Sequence, residues 1–303
     1  MHILITGGTG FIGQALVPRL LQAGHRISIL SRSQHRDTSR CTYLRSLEEL
    51  PADSGPDAVI NLAGASLAGK RWTRAYKEEL VASRVQGTRA LVDHFADSAQ
   101  RPRILLSASA IGYYGARGDE PLTEDAAPGS GFASQLCQDW EAEAARAAEL
   151  GIRTCLLRLG VVLDSQGGAL KEMALPFRFG VASWPGTGYQ YLSWIHREDV
   201  VAAMGFLLEK DDLAGVFNLT APAPVTQREF CQALQTHFRT LPGMPVPSPV
   251  MRLLLGEMAG ELLLTGQRVL PEALQRAGFR FRHPAIEDAL AAIFDAQAGD
   301  RLP

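Results

Sequence analysis

The stretch LITGGTGFIG, residues 4–13, puts four glycines, Gly7, Gly8, Gly10 and Gly13, directly behind a short apolar run. Residues 1–6 read as a buried strand. Residues 12–23 then carry Ala15, Leu16, Leu20 and Leu21 at helical spacing, with Gly24 as the stop. A strand-to-helix turn without side chains lets backbone amides approach a ligand, and the helix N-terminus adds partial positive charge. The GxxGxxG spacing of Gly7, Gly10 and Gly13 therefore points to a bound pyrophosphate. The plainer alternative is a glycine-rich βα turn with no ligand.

The same alternation continues. Apolar strands are expected at 25–30, 57–62, 103–107, 154–159 and 216–220, with one extended helix over 73–99 and another over 133–150. Nearly continuous apolar strands separated by helices predict a Rossmann-type α/β fold, a doubly wound parallel sheet covered on both faces. After Leu163 the pattern turns to glycine, proline and aromatic residues, and from Thr226 it is mostly helical, with a proline-rich linker, LPGMPVPSP, at 241–249. The expected division is a dinucleotide-binding domain over 1–163, to which 195–222 return, and a smaller C-terminal substrate lobe built from 164–194 and 223–303.

Where a dinucleotide's ribose 2′-hydroxyl is held by a carboxylate, that residue falls about 20 residues beyond the glycines. Here the second strand ends at Leu30 and is followed by Ser31 and Arg32, with Arg36 close behind and no carboxylate before Asp37. A hydroxyl and a guanidinium suit a 2′-phosphate, so NADP (as NADPH) is expected over NAD. The alternative for Arg32 is a solvated basic loop.

Formal net charge is −2 with both signs dispersed along 303 residues, which gives no electrostatic footprint for nucleic acid or an anionic membrane. A small-molecule partner is the expectation. Cys41, Cys137, Cys155 and Cys231 lie far apart, without metal-ligand spacing, and read as reduced thiols. No run approaches the roughly 18 apolar residues of a membrane span, and glycines interrupt the first apolar run. The reading is a soluble, cytoplasmic protein.

GGTGFIG, NLAG at 61–64 and SASAIGYYG at 107–115 together resemble the extended short-chain dehydrogenase/reductase superfamily. KRW at 70–72, EELVASR at 78–84, WE at 140–141, WIHREDVV at 194–201 and GQRVLP at 266–271 resemble one atypical, epimerase-like branch, the SDR39U1/YfcH-like branch, with its own C-terminal segment. By that resemblance, Gly7, Thr9, Gly10, Phe11, Ile12 and Gly13 hold the pyrophosphate, and Ser31 and Arg32 the 2′-phosphate. Leu62, Ala63 and Gly64 lie along the adenosine and its ribose. Glu79 and Arg84 face the cofactor from the long helix, and Ser107 completes the set.

Short-chain reductases use a Ser or Thr, a Tyr, and a Lys one helical turn after the Tyr. Ser109 fits the hydroxyl position. The Tyr and Lys belong in the helix near 132–138, which reads FASQLCQ, and no tyrosine or lysine occurs between Gly115 and Lys171. Arg84 likewise stands where the superfamily has an asparagine. Tyr113, Tyr114 and His196 are the substitutes in view, each with a plainer reading: pocket wall for the tyrosines, a structural turn with Asp199 for the histidine. Arg158 is expected to meet a carboxylate or a ligand, because an unpaired buried guanidinium is costly. Two functions stay open: an NADP(H)-dependent oxidoreductase or epimerase of unidentified substrate, and a noncatalytic NADP(H)-binding sensor or interaction protein. A homodimer built through leucines of residues 223–303, among them Leu253, Leu254, Leu255, Leu262, Leu263 and Leu264, is a further possibility.

Overall fold

In the computed structural model, which describes residues 1–51 and 55–299, His2–Thr6 (β1) is buried along its whole length. Helix α1 (Gly13–Gln22) turns Gly13, Leu16, Val17 and Leu20 inward, and Gly24 at φ +86° closes it. Strands β2 (Arg26–Leu30), β3 (Cys41–Leu44) and β4 (Ala58–Asn61) follow. Helix α2 (Arg74–Val81) begins at Thr73, whose hydroxyl accepts the Tyr76 amide, and runs through a π-turn at Ala82–Gln86 into α3 (Gly87–Ala96). Then come β5 (Ile104–Ala110), α4 (Phe132–Glu149), β6 (Arg153–Leu159), α5 (Arg197–Glu209) and β7 (Gly215–Leu219).

These seven strands form one sheet in the order β7-β6-β5-β4-β1-β2-β3, and every neighbouring pair is parallel. Strand alternation divides the core between the two faces. Ile3 and Ile5 pack with Leu16 and Leu20 of α1 and with Val200, Met204 and Leu207 of α5. Leu4, one residue out of phase, packs with Leu91 and Phe95 of α3 and Ala144 and Ala147 of α4. The chain winds from β1 outward to β3 and then crosses to β4 on β1's other side, so the strand order reverses between β1 and β4. A crevice at such a reversal, at the carboxyl ends of the strands, is where open α/β sheets bind ligands.

The remaining chain makes a second, smaller cluster around Leu163, Phe177, Trp194, Phe230, Leu234, Ile286 and Leu290. It includes α6 (Gln227–Gln235) and α8 (Ile286–Gly299), and it is joined to the body by short strand pairs; α7 (Ser248–Leu255) instead sets Leu255 against the cluster of Trp72, Tyr76 and Trp140. Arg268–Val269 pairs with Pro121–Leu122, and Trp194–His196 with Val161–Leu163. Three local features differ from the sequence expectation. Strand β3 was not expected, the extended helix is interrupted by its π-turn, and β5 runs on to Ala110.

Candidate active site

The glycine turn after β1 is crowded on one side and open on the other. A Cβ at Gly7, which sits at φ +69°, would lie 2.7 Å from the carbonyl carbon and oxygen of Leu62. A Cβ at Gly13 would lie 2.4 Å from the Gly8 oxygen. At these two positions the protein's own backbone already excludes a side chain. Gly10 differs, since its Cβ would meet only the Gly7 oxygen, at 3.1 Å, and Gly10 and Thr9 are exposed. Gly7 thus lets the turn pass close to the segment after β4, Gly13 lets α1 pack on the turn at Gly8, and Gly10 leaves the open approach a phosphate needs.

Helix α1 has no side-chain cap at Ile12 and no acidic residue in its first turn. The Gln14 and Ala15 amides already donate to the Gly10 and Ile12 oxygens, so what the helix offers an anion is its Gly13 amide and its dipole. The Phe11 ring packs on Gly167 and Gly168 and under Arg197, which pairs with Asp164 at 3.1 Å.

At the end of β2 the Ser31 hydroxyl accepts the Ser33 amide, and Arg32 is exposed with no ion pair among the described residues. Asp37 is engaged elsewhere, accepting the Tyr43 amide of β3 at 2.9 Å. The tip of β2 therefore carries an unpaired cation and no free carboxylate nearby, which fits a 2′-phosphate and leaves a 2′-hydroxyl without its acceptor.

Leu62, Ala63 and Gly64 continue from β4 across from the glycine turn, with the Ala63 amide donating to Thr6 Oγ1. Arg84, on the π-turn, is only 9% exposed and reaches back to this segment, where Nη2 donates to the Ala65 oxygen at 2.8 Å. Its guanidinium lies against Gly64 and 5.3 Å from the Trp140 ring. Burial lowers its pKa, and no carboxylate pairs with it among the described residues. A buried guanidinium without a counter-charge is costly unless an anionic or lone-pair-rich group reaches it. Glu79 points elsewhere, to Lys70 at the surface at 3.1 Å. Ser107 is buried and accepts from Asn61 Nδ2 at 3.2 Å, supporting the strand ends from inside.

The face of α4 that a Tyr/Lys pair one turn apart would use carries Ala133, Cys137 and Glu141. Ala133 and Cys137 pack against Gly112, and burial pushes the Cys137 thiol up to about 11, so it is no base at neutral pH. Glu141 grips Arg158 with both oxygens at 2.8 Å and accepts the Ser109 hydroxyl at 2.6 Å. The carboxylate expected for Arg158 is thus Glu141. The pair overrides the effect of burial and raises the arginine's pKa.

Arg158 also donates to the Tyr114 hydroxyl, which in turn donates to Asn218 Oδ1 of β7 at 2.7 Å. Tyr114 is fully buried, and burial raises its pKa. Ser109 is only 1% exposed. His196 lies at the start of α5, where Nδ1 accepts the Glu198 amide and the ring lies 4.0 Å from that of His283, tilted by 44°. No hydrogen bond joins Asp199 to His196 among the described residues; its oxygens accept the backbone amides of Arg282 and His283. Glu141 and Asn218 were not singled out from sequence as site residues. The WE dipeptide four residues after Cys137 was the available signal for the first, while Asn218 sits in an apolar strand with nothing to mark it.

The sheet reversal, the glycine turn and the uncapped helix behind it define a Rossmann-type nucleotide-binding protein of the short-chain dehydrogenase/reductase kind. The chain belongs to the NAD dependent epimerase/dehydratase family, which it matches over residues 3–220, and residues 246–293 match a domain of unknown function, DUF1731. It is 39% identical to the epimerase family protein Mb2239 of Mycobacterium bovis, over 95% of this chain and 96% of that one. Among solved structures, it is similar to the human epimerase family protein SDR39U1 with NADPH: TM-score 0.88, 32% identity, 97% of this chain and 99% of that one. It is also similar to a nucleoside-diphosphate sugar epimerase from Corynebacterium glutamicum: TM-score 0.79, 29% identity, 99% of this chain and 61% of that one. No helix among the described residues is long and apolar enough to cross a membrane.

Proposed function

We propose that the protein binds NADPH and uses it on a small carbonyl or sugar-like substrate, as an oxidoreductase or epimerase in the cytoplasm. The observation that carries this reading is the tip of β2, where Arg32 is exposed and unpaired and the nearest carboxylate, Asp37, is held by β3. Thr9, Gly10, Ile12 and Gly13 cradle the pyrophosphate, with Phe11 fixing the turn from behind. Ser31 and Arg32 take the 2′-phosphate, and Leu62, Ala63 and Gly64 form the wall beside the adenosine. Arg84 offers its unpaired guanidinium beside that wall. Bound there, the nicotinamide supplies or accepts hydride. The human relative's structure with NADPH supports the choice of cofactor.

The test is nicotinamide absorbance of purified protein with NADPH across a panel of carbonyl compounds and nucleotide sugars. Turnover with some member is expected, and a broad panel with none would count against catalysis. The bare face at Ala133 and Cys137 favours the second reading, a noncatalytic NADPH sensor. That reading requires a protein partner whose affinity differs between NADPH and NADP+. Pull-down from lysate in each cofactor state separates the two, since a partner held equally in both sinks the sensor.

A further inference from the structure

We infer that the phenol of Tyr113 is the proton-transfer group of this site, brought in from the turn after β5 in place of a tyrosine on α4. The inference rests on the proposed NADPH-dependent function. The other hydroxyl and imidazole groups in view are already committed. Ser109 gives its proton to Glu141, Tyr114 is enclosed between Arg158 and Asn218, and His196 caps α5. Ser134, on the first turn of α4, donates to the Tyr113 backbone oxygen at 2.7 Å. Of these groups, only Tyr113 keeps a half-buried ring whose hydroxyl has no hydrogen-bond partner among the described residues.

The ring is held in place from beneath and behind. The Arg158 guanidinium carbon lies 3.4 Å from the Tyr113 ring centroid, and Glu141 fixes that guanidinium with two hydrogen bonds. Such cation–π contacts contribute orientation as well as attraction. The Tyr113 oxygen also accepts the Gly129 amide at 2.9 Å, which anchors the backbone. The preceding residue, Gly112, packs against the α4 face without a Tyr or Lys: a Cβ there would be 3.4 Å from Ala133 Cβ and 3.7 Å from Cys137 Sγ. The turn bearing the phenol therefore lies beside the position the helix leaves bare. Arg158 is a positioning residue in this arrangement.

In the reductive direction the Tyr113 O–H bond breaks and its proton forms the O–H bond of the product alcohol. The electron pair of the new C–H bond arrives as hydride from NADPH, which is oxidised to NADP+, and water reprotonates the phenolate. The general requirement is a donor within hydrogen-bond reach of the reacting oxygen.

The experiment has three readouts on the full-length protein. Calorimetry first establishes NADPH binding. Acylation with N-acetylimidazole, mapped by peptide mass spectrometry, is then expected to modify Tyr113 and spare Tyr114, with saturating NADPH slowing Tyr113 acylation at least fivefold. Finally, Tyr113→Phe is expected to bind NADPH within twofold of the wild type while losing at least a hundredfold in the rate of reduction of 9,10-phenanthrenequinone. Absent NADPH binding overturns the proposed function and this inference together. With binding intact, the inference alone is overturned by unprotected Tyr113, by wild-type turnover in Tyr113→Phe, or by no quinone reduction in the wild type.

Discussion

A methyl group at residue 7 would have to occupy the space of the Leu62 carbonyl, on a backbone at φ +69°. Left-handed backbone alone costs an L residue roughly 1–2 kcal/mol. Gly7→Ala is therefore expected to lose more than that in urea denaturation, even without cofactor. Gly10→Ala is expected to lose less, because only the Gly7 oxygen is near, and to show its main effect in NADPH affinity. Equal stability losses in the two variants would contradict this division of labour. The glycines themselves were legible in the sequence. That two of them answer to the chain's own backbone was not: Gly7 meets Leu62, some fifty residues away, and Gly13 meets Gly8 only through the way the turn folds back on itself. Arg84 shows a similar limit: its burial against Gly64 depends on a π-turn that apolar periodicity does not register.

At the scale of elements, strong strand and helix periodicity gave most of the sheet, and what escaped has physical reasons. Strand β3 is four residues, CTYL, at the sheet edge, with only Cys41 fully buried, so it lacks a long apolar run. The short strand pairs outside the main sheet are two or three residues each. Two helix starts lead to predictions. Glu261 accepts the Phe132 and Ala133 amides at 2.9 and 2.7 Å, so the C-terminal segment caps α4 from afar. Glu261→Ala is expected to cost about 1 kcal/mol in chemical denaturation. No change would mean the cap carries no weight.

The start of α5 is pH-sensitive. Burial, then the neighbouring His283, holds His196 below its ordinary value of 6.5, against the opposing pull of Glu198, Asp199 and Asp164. As pH falls, the unfolded chain takes up this proton first. The stability associated with the neutral ring is therefore complete above about 6.5 and is lost as pH drops below it toward the folded value. Melting temperature should fall between about pH 7 and 5, and His196→Asn, which can still cap a helix, should make that fall shallower. His2 and His25 shift in the same direction, so some slope should remain. An unchanged slope in the variant would remove His196 from this account.

Across the whole molecule, one buried hydrogen-bonded chain runs from Ser109 through Glu141, Arg158 and Tyr114 to Asn218, whose Nδ2 donates to the Leu270 oxygen of the C-terminal segment. It ties the sheet to the lobe. Glu141→Ala would leave a buried guanidinium unpaired, which typically costs about 3–5 kcal/mol. Denaturant midpoints should show that loss, and a loss below about 1 kcal/mol would mean the network is peripheral. The central claim is a cofactor site that recognises a 2′-phosphate. Its most direct test is calorimetric titration of nucleotide-free protein with NADPH and NADH, alongside Arg32→Ala. A charged hydrogen bond of about 1.5–3 kcal/mol predicts that NADPH binds at least tenfold tighter than NADH and that Arg32→Ala abolishes this preference while leaving NADH unchanged. Equal affinity for both nucleotides in the wild type, or binding of neither, would contradict it.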